Sequence, residues 1–324
     1  THFYTTCGFK SPCQLTASLL FLIDLLSMPY QIAALLAATM WALSSLVAAE
    51  PVRRLGGPRF CRLRLILSGG VLLFLALFRG EWSSIALGDL WLIFLSSVVG
   101  LVIGDLGLFV AMERIGPRRT SVLFTTNAPI AALGGVILYS EVLHSWALLG
   151  AICTVGGVML AVNFGSRRGV ADAVFERVDG PLKVGAMWAS LGALGQAVGA
   201  LAIKPVFEHG SDTLTVSAVR VFFALPLLWI FAKPIDRLAK STERTPILRG
   251  DWNRMFFSST VAMVAGSTLL LYAIGHGDTG VASILAGTTP VIMLPLLWIV
   301  TRRSPSLGAW VGALLTVVGT ALLI

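Results

Sequence analysis

The chain has 324 residues, of which 56% are hydrophobic and only 12% are charged, whereas ordinary soluble domains carry about 25% charged residues. This composition excludes a soluble globular protein and predicts an integral membrane protein. The formal net charge of +8 does not indicate a nucleic-acid partner, because the basic residues lie between apolar stretches and form no basic amphipathic stripe. The expected partners are the lipid bilayer and a small-molecule solute.

Ten apolar stretches follow one another along the chain. A helix needs about 20 residues to cross a hydrocarbon core of ~30 Å. The predicted spans are 31–49, 63–78, 88–112, 120–139, 146–164, 184–207, 214–232, 253–275, 281–301 and 305–324. A transmembrane β-barrel would require segments of about ten residues with alternating polarity, and a run such as 90–112 does not alternate. We therefore predict an all-α membrane protein with ten transmembrane helices.

The ten spans divide into two similar units of five. The segments 148–162 and 310–324 align, which pairs Gly150 with Gly312 and Gly157 with Gly319. The predicted organisation is a first repeat at 31–164, a linker loop at 165–183 and a second repeat at 184–324. Because five is odd, the two repeats must cross the membrane in opposite directions. Inverted repeats of this kind are typical of secondary transporters, whose substrate site lies between the halves.

Residues 1–30 precede the repeats, and we do not expect them to belong to the core. The segment from Leu15 to Ser27 is apolar, but it is short and is interrupted by Asp24. A signal peptide would have a charged start and a continuous apolar stretch. A cleaved signal, an eleventh spanning helix and an upstream extension of a protein that starts at Met28 are all compatible with this segment.

The distribution of basic residues predicts the orientation. Short cytoplasmic loops carry an excess of Lys and Arg. Of the 24 such residues, all except Lys10, Arg79, Lys204 and Arg220 lie in or beside the loops that follow spans 1, 3, 5, 7 and 9. We therefore predict that these odd-numbered loops are cytoplasmic and that the C-terminus is outside, in a plasma membrane of the bacterial inner-membrane type.

Polar groups within the apolar spans are the candidates for function, because each is costly in the membrane unless it is paired or hydrated. Asp105 is the strongest candidate, since it lies within the third span beside Gly104 and Gly107. It aligns with Ser267 in the second repeat. One hypothesis is a carboxylate that couples transport to a proton or another ion; the alternative is a structural pair with Arg64, in which the acid stays ionised.

Two further groups of polar residues are candidate cavity residues. Pro129 and Pro290 are predicted helix kinks, because proline removes a backbone hydrogen bond. Beside them stand Thr125, Thr126, Asn127, Thr288 and Thr289, which either line a cavity or satisfy the kink locally by bonding to backbone carbonyls. Spans 1 and 6 contribute Trp41, Ser44, Ser45 and Gln196.

Other residues of the sixth span are expected to be structural. Trp188 is close to a helix end and is expected to anchor the helix at the membrane interface. Gly192, Gly195 and Gly199 are expected to serve close helix packing rather than phosphate binding. Lys204 aligns with Glu50 at a helix end, where solvation is the expected explanation for its charge.

The sequence resembles ten-helix members of the drug/metabolite transporter superfamily of the EamA type, from about residue 31 to the end. The resemblance rests on Arg64 and Arg220 at the openings of spans 2 and 7, on Pro129 and Pro290, and on the segments 121–160 and 282–323. It implies export or exchange of small metabolites such as amino acids, nucleobases or drugs. Arg64 and Arg220 are a possible charge pair or gate.

One feature of the resemblance is not repeated in both halves. Glu141 stands where the family commonly has a Gly-Glu turn after its fourth helix. The second repeat has Arg302 and Arg303 at the corresponding place. The acidic turn is therefore not duplicated, and the sequence assigns Glu141 no role.

The predicted function is a secondary transporter that moves a small metabolite by alternating access between the repeats. We predict no metal site and no cofactor, although proton or ion coupling is possible. A passive channel or facilitator is the main alternative. An intramembrane aspartyl protease would need a second aspartate in the middle of a span, which the sequence lacks. The sequence is compatible with a monomer or a homodimer.

Overall fold

The computed structural model describes residues 28–141, 145–164, 181–239, 245–301 and 306–323, and within these ranges it contains helices and no β-strand. The prediction of an all-helical chain is confirmed for them. In chain order the α-helices are α1 (Tyr30–Leu55), α2 (Gly57–Arg79), α3 (Leu90–Ser96), α4 (Leu106–Phe124), α5 (Asn127–Tyr139), α6 (Ser145–Asn163), α7 (Leu182–Glu208), α8 (Thr213–Ile230), α9 (Ala232–Ala239), α10 (Arg249–Ser259), α11 (Thr268–His276), α12 (Thr279–Ala286), α13 (Thr289–Thr301) and α14 (Leu307–Leu323).

Many of these helices are suited to a bilayer. Within the described ranges, seven helical segments are long and apolar enough to span it, and three shorter apolar helices accompany them. The seven are Tyr30–Leu55, Gly57–Arg79, Leu87–Gly116, Leu182–Glu208, Thr213–Ile230, Arg249–His276 and Thr279–Leu296; the shorter ones are Asn127–Tyr139, Leu148–Ala161 and Leu307–Gly319. Large apolar side chains such as Phe78, Ile137 and Phe222 are exposed on their outer faces. Such a surface requires lipid rather than water around it, so the chain is a multi-pass integral membrane protein.

The first connection is much shorter than the sequence suggests. The predicted spans 31–49 and 63–78 leave a basic loop between them, but α1 and α2 are separated only by Gly56, whose φ is +82°. A glycine adopts this left-handed backbone without steric cost. Arg62 and Arg64 lie inside α2 and are buried. The predicted span placed Arg62 outside the helix and Arg64 at its opening, because hydropathy does not report where backbone hydrogen bonding ends.

Two long helices contain π-helical segments at equivalent positions of the repeats. The first π segment, Ser97–Asp105, joins α3 to α4, and the second, Thr260–Ser267, joins α10 to α11. Their last residues are Asp105 and Ser267, the pair that the repeat alignment matches. π-Helical turns widen a helix and often occur at functional sites.

The glycines of α7 bring it close to the third span. A Cβ atom added to Gly195 would lie 2.6 Å from the Val99 carbonyl oxygen, and one added to Gly199 would lie 2.7 Å from the Cα of Gly100. The hydroxyl of Ser96 donates a hydrogen bond of 2.7 Å to the Gly199 carbonyl. The prediction that these glycines serve close helix packing is confirmed, and α7 of the second repeat is fixed against the first π segment.

The last helix of the first repeat, α6, packs against the last helix of the chain, α14. A Cβ atom on Gly150 would be 2.7 Å from the Gly319 carbonyl oxygen, and one on Gly157 would be 2.7 Å from that of Gly312. The two helices are therefore antiparallel. The repeat alignment pairs Gly150 with Gly312 and Gly157 with Gly319. If each glycine is replaced by its aligned equivalent, the contact of Gly150 with Gly319 becomes the contact of Gly312 with Gly157.

The first helix of the first repeat, α1, packs against the second repeat, as α7 packs against the first. The indole Nε1 of Trp41 in α1 donates a hydrogen bond of 3.0 Å to the Ala262 carbonyl in the second π segment. The hydroxyls of Ser44 and Ser258 are 2.8 Å apart. Each repeat thus packs its first helix on the π segment of the other, and these elements bound a central space.

Candidate functional site

A cavity of about 150 Å³ lies between residues of the two predicted repeats. A cavity of this size holds roughly one six-membered ring. Among the described residues its polar and charged lining consists of Trp41, Ser44, Ser45, Arg64, Asp105, Thr120, Ser121, Thr125, Asn127, Gln196, Arg220, Ser267, Ser283 and Thr289. Apolar side chains complete the wall, including those of Leu101, Phe109, Met112, Phe124, Ile274 and Met293.

The structure brings most of the candidate residues together at this cavity. The candidates in the lining are Trp41, Ser44, Ser45, Asp105, Thr125, Asn127, Gln196, Ser267, Thr289, Pro290, Arg64 and Arg220. The side chains of Thr126, Thr288 and Pro129 are not among the lining residues. The hydroxyl of Thr126 donates to the Leu123 carbonyl at 2.6 Å, and that of Thr288 donates to the Leu285 carbonyl at 2.7 Å. These two threonine hydroxyls therefore form hydrogen bonds with backbone carbonyls three residues earlier in the chain.

The helix breaks beside the prolines occur earlier than expected. α4 ends at Phe124 and α5 begins at Asn127, while α12 ends at Ala286 and α13 begins at Thr289. Pro129 and Pro290 therefore stand in the first turn of the helix that follows each break. Proline is tolerated there because the first backbone N–H groups of a helix have no partner within it. The two breaks lie at matching places in the repeats.

Asp105 is held in a buried ion pair with Arg64. A guanidinium nitrogen of Arg64, Nη1, lies 3.3 Å from Oδ2 of Asp105, and both residues are almost fully buried. Gln196 in α7 donates a hydrogen bond of 3.1 Å from Nε2 to Oδ1 of the same carboxylate. The ring of Phe109 lies 4.9 Å from the Arg64 guanidinium carbon. This is the geometry of the structural alternative, in which Asp105 fixes Arg64 at the cavity wall.

Arg220 lacks such an arrangement. The sequence placed it at the opening of the seventh span, but it lies within α8 and is only 6% exposed. Its Nη2 makes a long hydrogen bond of 3.5 Å to the Ser96 carbonyl, and its Nε has no hydrogen-bond partner. Among the described residues no carboxylate forms an ion pair with Arg220. In the second repeat the residue that aligns with Asp105 is Ser267, whose hydroxyl donates within its own helix to Ala262.

Glu141 connects the two repeats outside the cavity. Its carboxylate accepts hydrogen bonds from the backbone N–H groups of Thr279, at 2.8 Å, and of Gly280, at 3.1 Å, at the start of α12. It also forms an ion pair with Lys204 at 2.5 Å. Burial alone would raise the pKa of Glu141, but the hydrogen bonds from Lys204, Thr279 and Gly280 outweigh burial and lower it. A carboxylate at a helix N-terminus is also stabilised by the helix dipole.

The structure corrects two expectations about α7. Lys204 is only 12% exposed in its ion pair with Glu141, so the expectation of a solvated helix end is wrong. Trp188 is buried in the core rather than exposed at an interface, so the expectation of an anchor is also wrong. Neither could be read from the sequence, because each depends on an element distant along the chain. Arg302 and Arg303 lie outside the described residues.

Sequence reasoning also missed the apolar part of the cavity. Phe109 stands four residues after Asp105, so both lie on one face of the helix. That spacing was the signal for Phe109. Phe124 and Met293 gave no comparable signal, because they look like ordinary apolar residues of membrane helices.

Apolar membrane-spanning helices around an internal cavity define a multi-pass membrane protein. The chain belongs to the EamA-like transporter family, whose sequence model matches residues 28–163 and 183–324. This family is one of membrane transporters within the drug/metabolite transporter superfamily, as the resemblance implied. The match to the family occurs once over each half of the chain.

A comparison with solved structures supports the fold. A crystal structure described only as "Crystal structure of protein" has 18% sequence identity and a TM-score of 0.70, with coverage of 90% of this chain and 95% of the other. At this identity the likeness shows the fold alone. No curated protein sequence matches the chain.

Proposed function

We propose that the protein is a secondary transporter that exports or exchanges a small metabolite by alternating access between two inverted five-helix repeats. The solute binds in the central cavity, whose lining comes from both halves of the chain. The single observation that carries this proposal is that one cavity, at the junction of the two family repeats, collects polar side chains from α1, α7 and both π segments. A binding site between inverted repeats is the arrangement with which many secondary transporters perform alternating access.

The packing of α6 and α14 supports opposite directions for the repeats. These helices occupy equivalent places in the two units and are antiparallel, with their glycine contacts exchanged by the repeat alignment. A pseudo-two-fold axis in the membrane plane relates inverted repeats in just this manner. The three shorter apolar helices complete the ten spans of the proposal together with the seven long ones.

The helix breaks beside the cavity support a transport role. α5 and α13 each begin immediately after a break at the cavity wall, and their first residues, Asn127 and Thr289, line it. Discontinuous helices of this kind form solute sites in secondary transporters, because they present backbone groups as well as side chains to the solute.

The experiment that tests the proposal has two stages. Extracellular metabolites are first compared between cells with and without the gene. The solutes that differ are then measured in liposomes that contain the purified protein and are preloaded with unlabelled solute. We expect saturable counterflow of labelled solute in the absence of an ion gradient. Non-saturating flux would instead indicate a channel, and no flux of any candidate would contradict the transporter.

A further inference from the structure

Among the described residues, the charged side chains that line the cavity leave one positive charge unbalanced. Three charged residues of this part of the chain line it: Arg64, Asp105 and Arg220. Asp105 forms an ion pair with Arg64 at 3.3 Å and accepts a hydrogen bond from Gln196 at 3.1 Å. It also attracts Arg220 electrostatically, but one carboxylate cannot neutralise two guanidinium groups. The three residues therefore leave a net charge of one positive unit.

This imbalance follows from the difference between the repeats. Arg64 in the first repeat has Asp105 as its partner, whereas the residue of the second repeat that aligns with Asp105 is Ser267, which carries no charge. Arg220 is only 6% exposed, and its Nε is buried without a hydrogen-bond partner. A buried charge without a partner is strongly unfavourable. An occupant of the cavity that carries a negative charge would remove this cost.

The geometry of the donors indicates what kind of anion fits. A guanidinium presents five N–H donors in a planar fork, which matches the oxygens of carboxylate or phosphate. The Nε of Arg64 is also buried without a hydrogen-bond partner, and both arginines line the cavity.

The remaining wall limits the rest of the solute. Phe109, Phe124, Ile274 and Met293 are apolar, and the volume of about 150 Å³ admits a body of roughly one ring. A highly charged or extended solute does not match this wall. A compact apolar body with one acid group does.

We propose that the transported solute is a small organic acid of single negative charge, whose oxyanion binds Arg220 and whose apolar body lies against the apolar part of the cavity lining. This proposal rests on the proposed transport function and names its substrate class. It assigns different tasks to the equivalent arginines: Arg64 is fixed by Asp105, and Arg220 receives the solute.

Pairs of acids and their isosteric amides test the proposal on the purified full-length protein. The probes are acetate and acetamide, benzoate and benzamide, and phenylacetate and phenylacetamide. Thermal unfolding is followed in detergent at pH 7 over a concentration series. We expect at least one acid to raise the melting temperature in a saturable manner while its amide does not. The amide lacks one charged hydrogen bond, so its affinity should be lower than that of the acid by a factor of about ten or more.

Variants locate the effect. Arg220→Gln should abolish the stabilisation by the acid, and Arg220→Lys should retain part of it because the charge is kept. Arg254→Gln is the control, because Arg254 forms an exposed ion pair with Glu50 and neither residue lines the cavity. Without ligand, Arg220→Gln should melt no lower than the wild type, since it removes an unpaired buried charge. If it fails to fold, the comparison of acid with amide on the wild type still decides.

Three outcomes overturn the inference. The amides stabilise the protein as strongly as the acids, or none of the probes stabilises it, or the acid binds Arg220→Gln as strongly as the wild type. Counterflow in liposomes separates these failures from that of transport itself: saturable counterflow of a neutral or cationic solute refutes the acid proposal and leaves the transporter intact. Absence of all counterflow refutes the transporter.

Discussion

At the scale of single residues, Glu141 shows how one side chain ties the repeats together. It lies between α5 and α6, yet its carboxylate binds the first N–H groups of α12 and the ammonium group of Lys204 in α7. Removal of one partner of a buried ion pair costs about 3 kcal/mol or more. Glu141→Gln should therefore lower the free energy of unfolding by about 3 kcal/mol at pH 7, as measured by SDS titration in mixed micelles.

The pH dependence gives this prediction a second readout. The folded protein lowers the pKa of Glu141, so its stabilisation is present above the ordinary pKa of a glutamate and is lost as the pH falls through the lowered value. The difference in the free energy of unfolding between the wild type and Glu141→Gln should therefore become smaller as the pH falls. Glu50→Gln is the matched control, because Glu50 pairs with Arg254 at an exposed site and such pairs contribute below about 1 kcal/mol. Equal losses in the two variants would contradict the assignment.

The sequence could predict some residue roles and not others. Arg64 as a partner for Asp105 was one of two alternatives, because both enter from the same side. The isolation of Arg220 follows from the mismatch between Asp105 and Ser267. The orientation of Thr126 and Thr288 could not be predicted, since a threonine hydroxyl in a helix can turn either to a cavity or to its own backbone.

At the scale of elements, the contact between α6 and α14 depends on glycine. A Cβ atom on Gly157 would lie 2.5 Å from the backbone nitrogen of Thr316, whereas one on Gly156 would meet no atom within 4 Å. Gly157→Ala should force the helices apart and destabilise the protein by about 2 kcal/mol. Gly156→Ala should be neutral or stabilising by up to about 1 kcal/mol, because alanine favours the helix.

The neighbouring glycines make a controlled pair, since both substitutions add one methyl group to the same helix. SDS titration measures the free energy of unfolding of each variant against the wild type. Similar stabilities of the two variants would mean that α6 and α14 are not in close contact in the membrane.

The elements were predictable where apolar length decided them and not where backbone geometry did. The described helices cover all ten of the apolar stretches at least in part. The single-residue connection at Gly56 was missed, since helices here continue through charged residues such as Arg53 and Arg59. The π segments were also missed, because neither 97–105 nor 260–267 has a composition that distinguishes it from α-helix.

At the scale of the whole molecule, the basic residues support an orientation. We propose that the loops after the odd-numbered spans are cytoplasmic and that the C-terminus is outside. A C-terminal reporter that is active only in the cytoplasm should therefore be silent, and the same reporter placed in the linker loop at 165–183 should be active. A C-terminal signal as strong as the linker signal would refute the orientation.

The division into two units was visible in the sequence because equivalent glycines and prolines recur in order. The cavity between the units was expected on that basis, but its volume and its apolar wall depend on contacts between helices that are far apart in the chain. No pattern in one helix reveals which face meets the other repeat. The net positive charge of the cavity needed both the alignment and the contacts.

The central claim is that solute crosses the membrane through this cavity. Ala200 lines it, while Val198 lies on the exposed face of the same helix, α7. Counterflow of the identified solute into liposomes is compared for wild type, Ala200→Trp and Val198→Trp. Ala200→Trp should reduce saturable counterflow by about tenfold or more because the indole fills the cavity, whereas Val198→Trp should transport like the wild type. Wild-type counterflow in a folded Ala200→Trp protein would contradict the claim.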